Sequence, residues 1–131
     1  MTHWSAPYVG LRFAPRGRER GGIDCYGLLR LVWAEVAGVI LPRHDGCCDE
    51  AGTIARESMA FTEVAADEAR PLDAVIMNTD VMECGKWVQR PLHMGVVAAP
   101  GWVLHIEHHR LSRIDRAAGL RVVKYLRCPQ P

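Results

Sequence analysis

An α+β fold is what the sequence predicts, on three observations. A strongly amphipathic helix begins at Cys25, short β-prone runs crowd the second half of the chain, and Ala99-Pro100-Gly101 reads as a hairpin turn between two of them. With 131 residues, 49% of them hydrophobic, the chain can bury one core, so residues 1–131 are read as a single domain. No repeat, linker or low-complexity tract interrupts it.

Taken in order, the first element is a Gly/Pro-rich stretch in which Arg12, Arg16, Arg18 and Arg20 crowd together. Turn composition and the mixed charge brought by Glu19 make a solvated loop the plain expectation; capture of carboxylates by arginine forks is the sharper one. The helix follows. Cys25, Leu28, Leu29, Val32, Trp33 and Val36 recur at the spacing of one buried helical face, Asp24 stands at the N-cap, Gly38 stops the run and Pro42 lies beyond. Cys25 therefore sits in the first turn, where unpaired backbone N–H groups favour a thiolate and can hold an oxyanion. Gly21-Gly22 and Gly27 leave room for another chain to approach the sulfur. A cysteine on such a face is more often a small apolar core residue, so the helix alone does not assign a function.

Asp49 to Ala66 reads as a second, weaker helix with Ile54, Phe61 and Val64 inward. Thr79 to Arg90 reads as a loop between the first two strands, with Trp87 available for a contact, although Trp87 and Trp102 are more simply core or rim aromatics. Two β-prone runs, Leu92 to Ala98 and Trp102 to Ile106, flank the hairpin turn, and Leu120 to Leu126 should be a closing strand.

The two runs carry histidines. Alternation sets His93, Gly95 and Val97 on one face and Val103, His105 and Glu107 on one face of the partner. Direct opposition of His93 and His105 would centre the turn on Ala99, and turn type can shift that register by one. This geometry permits a relay: a thiol at Cys25, His93 to take its proton, and His105 to fix the tautomer and orientation of His93. His108 and His109 cannot both join His105 on one face and are read as strand-end polar residues, with His3 and His44 at the surface.

At these residues the chain resembles the NlpC/P60 cysteine peptidases, which implies a papain-like α+β fold, an N-terminal nucleophile helix packed on an antiparallel sheet of about five strands. The match runs through Asp24-Cys25-Tyr26-Gly27-Leu28, His93-Met94-Gly95-Val96 and His105, with Pro7-Tyr8 upstream and Pro71-Leu72-Asp73-Ala74-Val75-Ile76 similar to the family's strand-opening element. The resemblance implies Cys25 as nucleophile, His93 as general base and His105 as orienting residue. It also implies Tyr8 with its hydroxyl beside the reaction centre, Asp24 meeting a substrate amine, and the Cys25 backbone N–H as an oxyanion donor. The chain departs from the pattern twice. Tyr26 stands where wall-active members often have Ser, which would reshape the acyl-side pocket, and the Gly usual before Asp73 is missing. Cys25-Tyr26-Gly27-Leu28 with Arg30 is similar to the branch found in phage tails and gene transfer agents. The substrate so implied is peptidoglycan stem peptide, cut between D-γ-glutamyl and a diamino acid, with tail-tip or hub proteins as partners and no cofactor or metal.

Cys25, Cys47, Cys48, Cys84 and Cys128 make an odd set without C-x-x-C spacing, which supports neither a disulfide framework nor a zinc site and suits reducing conditions at synthesis. A net charge of +1 calls for neither nucleic acid nor an anionic membrane. The N-terminus lacks a signal-peptide pattern and no run reaches spanning length, so synthesis in the cytoplasm and delivery to the cell wall by a virion or tail particle are expected. Two other readings use the same residues. A structural tail-tip subunit would keep its partners after loss of Cys25, and a thiol amidase or acyltransferase would differ in its products.

Overall fold

The computed structural model describes residues 3–43 and 61–129. Its centre is an antiparallel six-stranded sheet in the order β3-β8-β4-β5-β6-β7, formed by β3 (Glu63–Val64), β4 (Ala74–Glu83), β5 (Lys86–Ala99), β6 (Trp102–His105), β7 (Arg113–Arg116) and β8 (Val122–Leu126). A small hairpin, β1 (Arg18–Glu19) and β2 (Gly22–Ile23), precedes α1 (Cys25–Val32), the one α-helix among the described residues. The expected α+β layering is present, and the main sheet has six strands among the described residues where about five were expected.

Helix α1 starts where the sequence places it. Asp24 is extended at the N-cap and its side chain accepts a hydrogen bond from the Gly27 N–H. The helix runs on as a π-helical turn, Trp33–Ala37, and ends at Gly38 in the left-handed conformation. Widening to a π turn changes the phase of the apolar stripe, so Trp33 is fully buried whereas Val36 emerges to the surface. Trp33 donates from its indole N–H to the Leu72 carbonyl at 2.7 Å and meets Phe61 edge-on at 5.3 Å, which ties the end of the helix to the sheet.

The sheet has two buried faces of unequal extent. Ala74, Ile76, Met94, Val96, Ala98, Leu104 and Ile106 share the core with Cys25, Leu28, Leu29 and Val32, whereas Val75, Met77, Val97 and Val103 form a smaller cluster on the other side. The period of two along β5 thus turns Met94 and Val96 to the helix and Val97 to the smaller cluster on the other side.

Three expectations need correction. The stretch Thr79 to Arg90 is no loop: β4 and β5 continue as a ribbon closed by Cys84-Gly85, both with positive φ, the geometry that two-residue hairpin turns need. Trp87 near its tip is 70% exposed, and Trp102, under the Arg116 guanidinium, is 40% exposed, so neither belongs to the core. Of the helix expected over Asp49 to Ala66, the part up to residue 60, including Ile54, lies outside the described residues. The remainder is not helical, because Glu63–Val64 pair with Leu126 and Tyr125 of β8. The closing strand forms as Val122–Leu126, but inside the sheet between β3 and β4.

Candidate active site

The hairpin between β5 and β6 builds the centre of the site. A two-residue Pro100-Gly101 turn and a bulge between Val97 and Ala99 set His105 opposite Gly95, so His93 and His105 are diagonal rather than direct neighbours. Contact survives the shift: His93 Nε2 lies 2.9 Å from His105 Nδ1. Gly95 makes it possible. A Cβ there would lie 2.7 Å from the Leu104 carbonyl oxygen, 2.9 Å from Val103 Cγ1 and 3.0 Å from His105 Cβ. Gly95→Ala is therefore expected to cost about 1–3 kcal/mol by forcing β5 from β6, measured by urea unfolding, and to weaken the imidazole contact.

A second bulge, between Met77 and Thr79 of β4, lies against Pro91 and Leu92 just before His93. Bulges sharpen strand twist and re-aim the side chain that follows.

The relay extends one residue beyond the sequence-level expectation. His105, 1% exposed, places Nε2 2.8 Å from Asp115 Oδ2 on β7, and Arg113 Nε donates to the same oxygen at 2.7 Å. Arg113 also pairs with Glu107. β7 pairs Arg113 with His105 and Asp115 with Val103, which sets both charged side chains on the face of the histidines. That alternation was the available signal for Asp115; the mixed charge of Arg113-Ile114-Asp115-Arg116 hid the strand.

Burial, and then the neighbouring His105, hold His93 down at a pKa of about 4, against the smaller upward pull of Glu107. His93 is therefore an unprotonated base at neutral pH. Burial raises the Asp115 carboxyl, but the His105 hydrogen bond and the Arg113 charge outweigh it, and its pKa lies below the ordinary value. His93 and His105 line a groove of about 720 Å³ with Leu92, Glu107, His108 and Arg110, closed across by Asn78, Asp80 and the Arg121 that pairs with Asp80 at 2.8 Å.

Cys25 is buried at the start of α1, in the core that contains Met94, the residue after His93. It does not line that groove. The structure thus brings His93, His105 and Asp115 together from three adjacent strands and sets Cys25 on the helix packed against β5, the strand of His93.

The three residues read as substrate contacts stand elsewhere. Tyr8 donates from its hydroxyl to Glu35 at 2.7 Å, and burial together with Glu35 pushes the phenol up to about 12. Glu35 lies in the turn at the far end of the helix, so that hydroxyl is not beside Cys25. Asp24 is buried, with Oδ1 accepting from Gly27 N–H at 2.7 Å and from Arg18 at 2.8 Å; its observed work is to cap the helix and pair with Arg18. Tyr26 is fully buried beneath the Arg18 guanidinium and donates to the Pro42 carbonyl at 2.5 Å, so its phenol is committed to the segment after the helix.

The arginine-rich stretch is likewise not a merely solvated loop. Arg12, Arg16 and Arg20 are exposed, but Arg18 is buried. The space beside Gly27 is filled by the chain itself, since a Cβ there would lie 2.1 Å from the Gly17 carbonyl oxygen. His108 stacks near Phe13 at 4.6 Å, and His109 has positive φ in the turn after β6 rather than at a strand end. Among the described residues, no three His, Cys, Asp or Glu side chains converge as a metal-ligand set, and no helix is long and apolar enough to cross a membrane.

No protein-family model and no curated protein matches the sequence. Among solved structures, the chain is similar to the NlpC/p60 domain of the peptidoglycan hydrolase SagA, with TM-score 0.68 and 18% identity over 94% of this chain and 92% of that one. It is also similar to the P60 domain of an antigen from M. avium subspecies paratuberculosis, with TM-score 0.60 and 19% identity over 92% and 85% of the two chains. The α+β fold, one N-terminal helix on an antiparallel sheet, is that of NlpC/P60 domains.

Proposed function

We propose that this chain is a cysteine endopeptidase that hydrolyses peptidoglycan stem peptides, at the bond between D-γ-glutamyl and a diamino acid. The observation that carries the reading is a neutral, half-buried His93, on the strand that packs against the Cys25 helix, backed by His105 and Asp115 on the next two strands. The fold shared with a peptidoglycan hydrolase domain supports the substrate class. So does the groove beside His93, whose Asp80, Glu107, Arg110 and Arg121 offer both signs of charge to a peptide rich in carboxylates and amines.

In the proposed reaction His93 takes the Cys25 proton, the sulfur attacks the peptide carbonyl, and the Cys25 N–H stabilises the oxyanion. His93 returns the proton to the leaving amine. Water, deprotonated by His93, then cleaves the thioester. Substrate binding is expected to bring sulfur and imidazole within hydrogen-bond reach, as catalytic hydrogen bonds often form or shorten only with substrate in place.

The site of action we propose is the bacterial cell wall, reached as part of a phage tail or gene transfer agent and in association with tail-tip or hub proteins. This rests on the resemblance carried by Cys25-Tyr26-Gly27-Leu28 and Arg30. Tyr26 and Arg30 also serve the structure together, because they bind the Pro42 and Leu41 carbonyls and fasten the segment after the helix back onto it.

Defined muropeptides incubated with the protein and with Cys25→Ala, read by mass spectrometry, test the reading. Cleavage between D-Glu and the diamino acid by the parent alone is expected. A folded protein whose Cys25 reacts with an alkylating probe but which leaves every muropeptide intact would overturn it.

A further inference from the structure

We infer that Asp115 is a positioning residue that fixes the tautomers of both imidazoles, leaving the basic lone pair of His93 on Nδ1; the inference rests on the reading of His93 as the general base. A carboxylate can only accept, so at 2.8 Å from Asp115 Oδ2 the His105 Nε2 carries the proton. In neutral His105 the lone pair is then on Nδ1, which accepts from the atom 2.9 Å away, His93 Nε2. His93 Nε2 thus carries its proton and Nδ1 is bare. The reverse arrangement would place the proton on His93 Nδ1 and aim the bare His105 Nε2 at the carboxylate, lone pair against lone pair.

Arg113 makes the device rigid. Its Nε donates to the same Oδ2 that His105 uses, at 2.7 Å, while its terminal nitrogen pairs with Glu107. Asp115 is thereby held from one side by Arg113 and addresses His105 from the other. Because the two donors converge on one oxygen, an amide oxygen in that place would serve equally well. Asp115→Asn should therefore behave like the parent, whereas Asp115→Leu, of similar size and without an acceptor, should not.

The test is long-range proton–nitrogen NMR of the protein labelled at histidine, at neutral pH. We expect Nε2-protonated tautomers for both His93 and His105 in the parent and in Asp115→Asn, and a mixture with Nδ1-protonated His93 in Asp115→Leu. With a cleavable muropeptide, Asp115→Leu should lose roughly 10- to 100-fold in kcat with little change in KM, and Asp115→Asn should stay within about threefold of the parent. Should Asp115→Leu fail to fold, Asp115→Asn combined with Arg113→Leu carries the same test, since its amide is free to turn its NH2 to His105. Unchanged tautomers in these acceptor-disrupting variants, or Nδ1-protonated His93 in the parent, would overturn the inference. The tautomers are read without turnover, so failure of the peptidase assay and failure of this assignment are separate outcomes.

Discussion

Replacing His93 with alanine should lower kcat/KM on a cleavable muropeptide by roughly 10³-fold or more, because both proton transfers of the proposed reaction pass through it. The double variant Cys25→Ala/His93→Ala should be no slower than Cys25→Ala alone. Residues that act as one unit are not additive, so this comparison tests whether sulfur and imidazole work together. Additive losses would mean that His93 acts on something other than the Cys25 proton.

The same substitution has a stability signature of known sign. His93 titrates near 4 in the folded protein against about 6.5 when unfolded, with burial as the first cause and His105 as the second. Between those values the unfolded chain binds a proton that the folded one refuses. Folding stability from this group is whole above pH 6.5 and falls as pH drops toward 4, by roughly 3 kcal/mol in all. Asp115, whose folded pKa is depressed, adds a further loss below its ordinary range as the pH falls. Urea unfolding of the parent between pH 7 and pH 4 should therefore slope steeply, and that of His93→Ala should slope less. Parallel curves would show that His93 is hydrated and ordinary in the folded protein.

What could be read in the sequence was set by local chemistry. The helix start is legible because Asp24 and Gly27 meet within one turn, and its end because only a left-handed residue closes it at Gly38. The Pro100-Gly101 turn is legible for the same reason, with Gly101 at positive φ. Features decided by non-local pairing were not. Asp115 becomes part of the relay only through the register of β6 with β7, and the burial of Arg18 depends on a short hairpin folding over the first helical turn. The role of Tyr8 came from the resemblance alone, and nothing local in the sequence tells which end of the helix it meets; the ring packs beneath Arg20 and its hydroxyl goes to Glu35. The π turn was equally hidden, since Val36 fits the apolar stripe by spacing and leaves it only when the helix widens.

Arg18→Leu should destabilise the fold by about 3–5 kcal/mol, the cost of removing one partner from a buried ion pair. The guanidinium of Arg18 donates to Asp24 Oδ1 at 2.8 Å, to the Arg43 carbonyl at 2.7 Å and to the Gly17 carbonyl at 3.0 Å, and covers the face of Tyr26. Without it a carboxylate that is only 4% exposed loses its cationic partner and retains the Gly27 N–H. Asp24 cannot simply rotate to water, because the same oxygen caps the helix that presents Cys25. The combination Arg18→Leu/Asp24→Ser removes both charges and restores an uncharged cap, so it should be more stable than Arg18→Leu alone. A chemical consequence accompanies the mechanical one. With Arg18 gone, the unbalanced charge of Asp24 stands one residue from the sulfur and opposes a thiolate there, so alkylation of Cys25 at fixed pH should slow in Arg18→Leu and recover in the double variant. Unfolding curves and alkylation rates that fail to recover together would assign Arg18 to packing over Tyr26 rather than to balancing Asp24. The pair would then have no part in preparing Cys25.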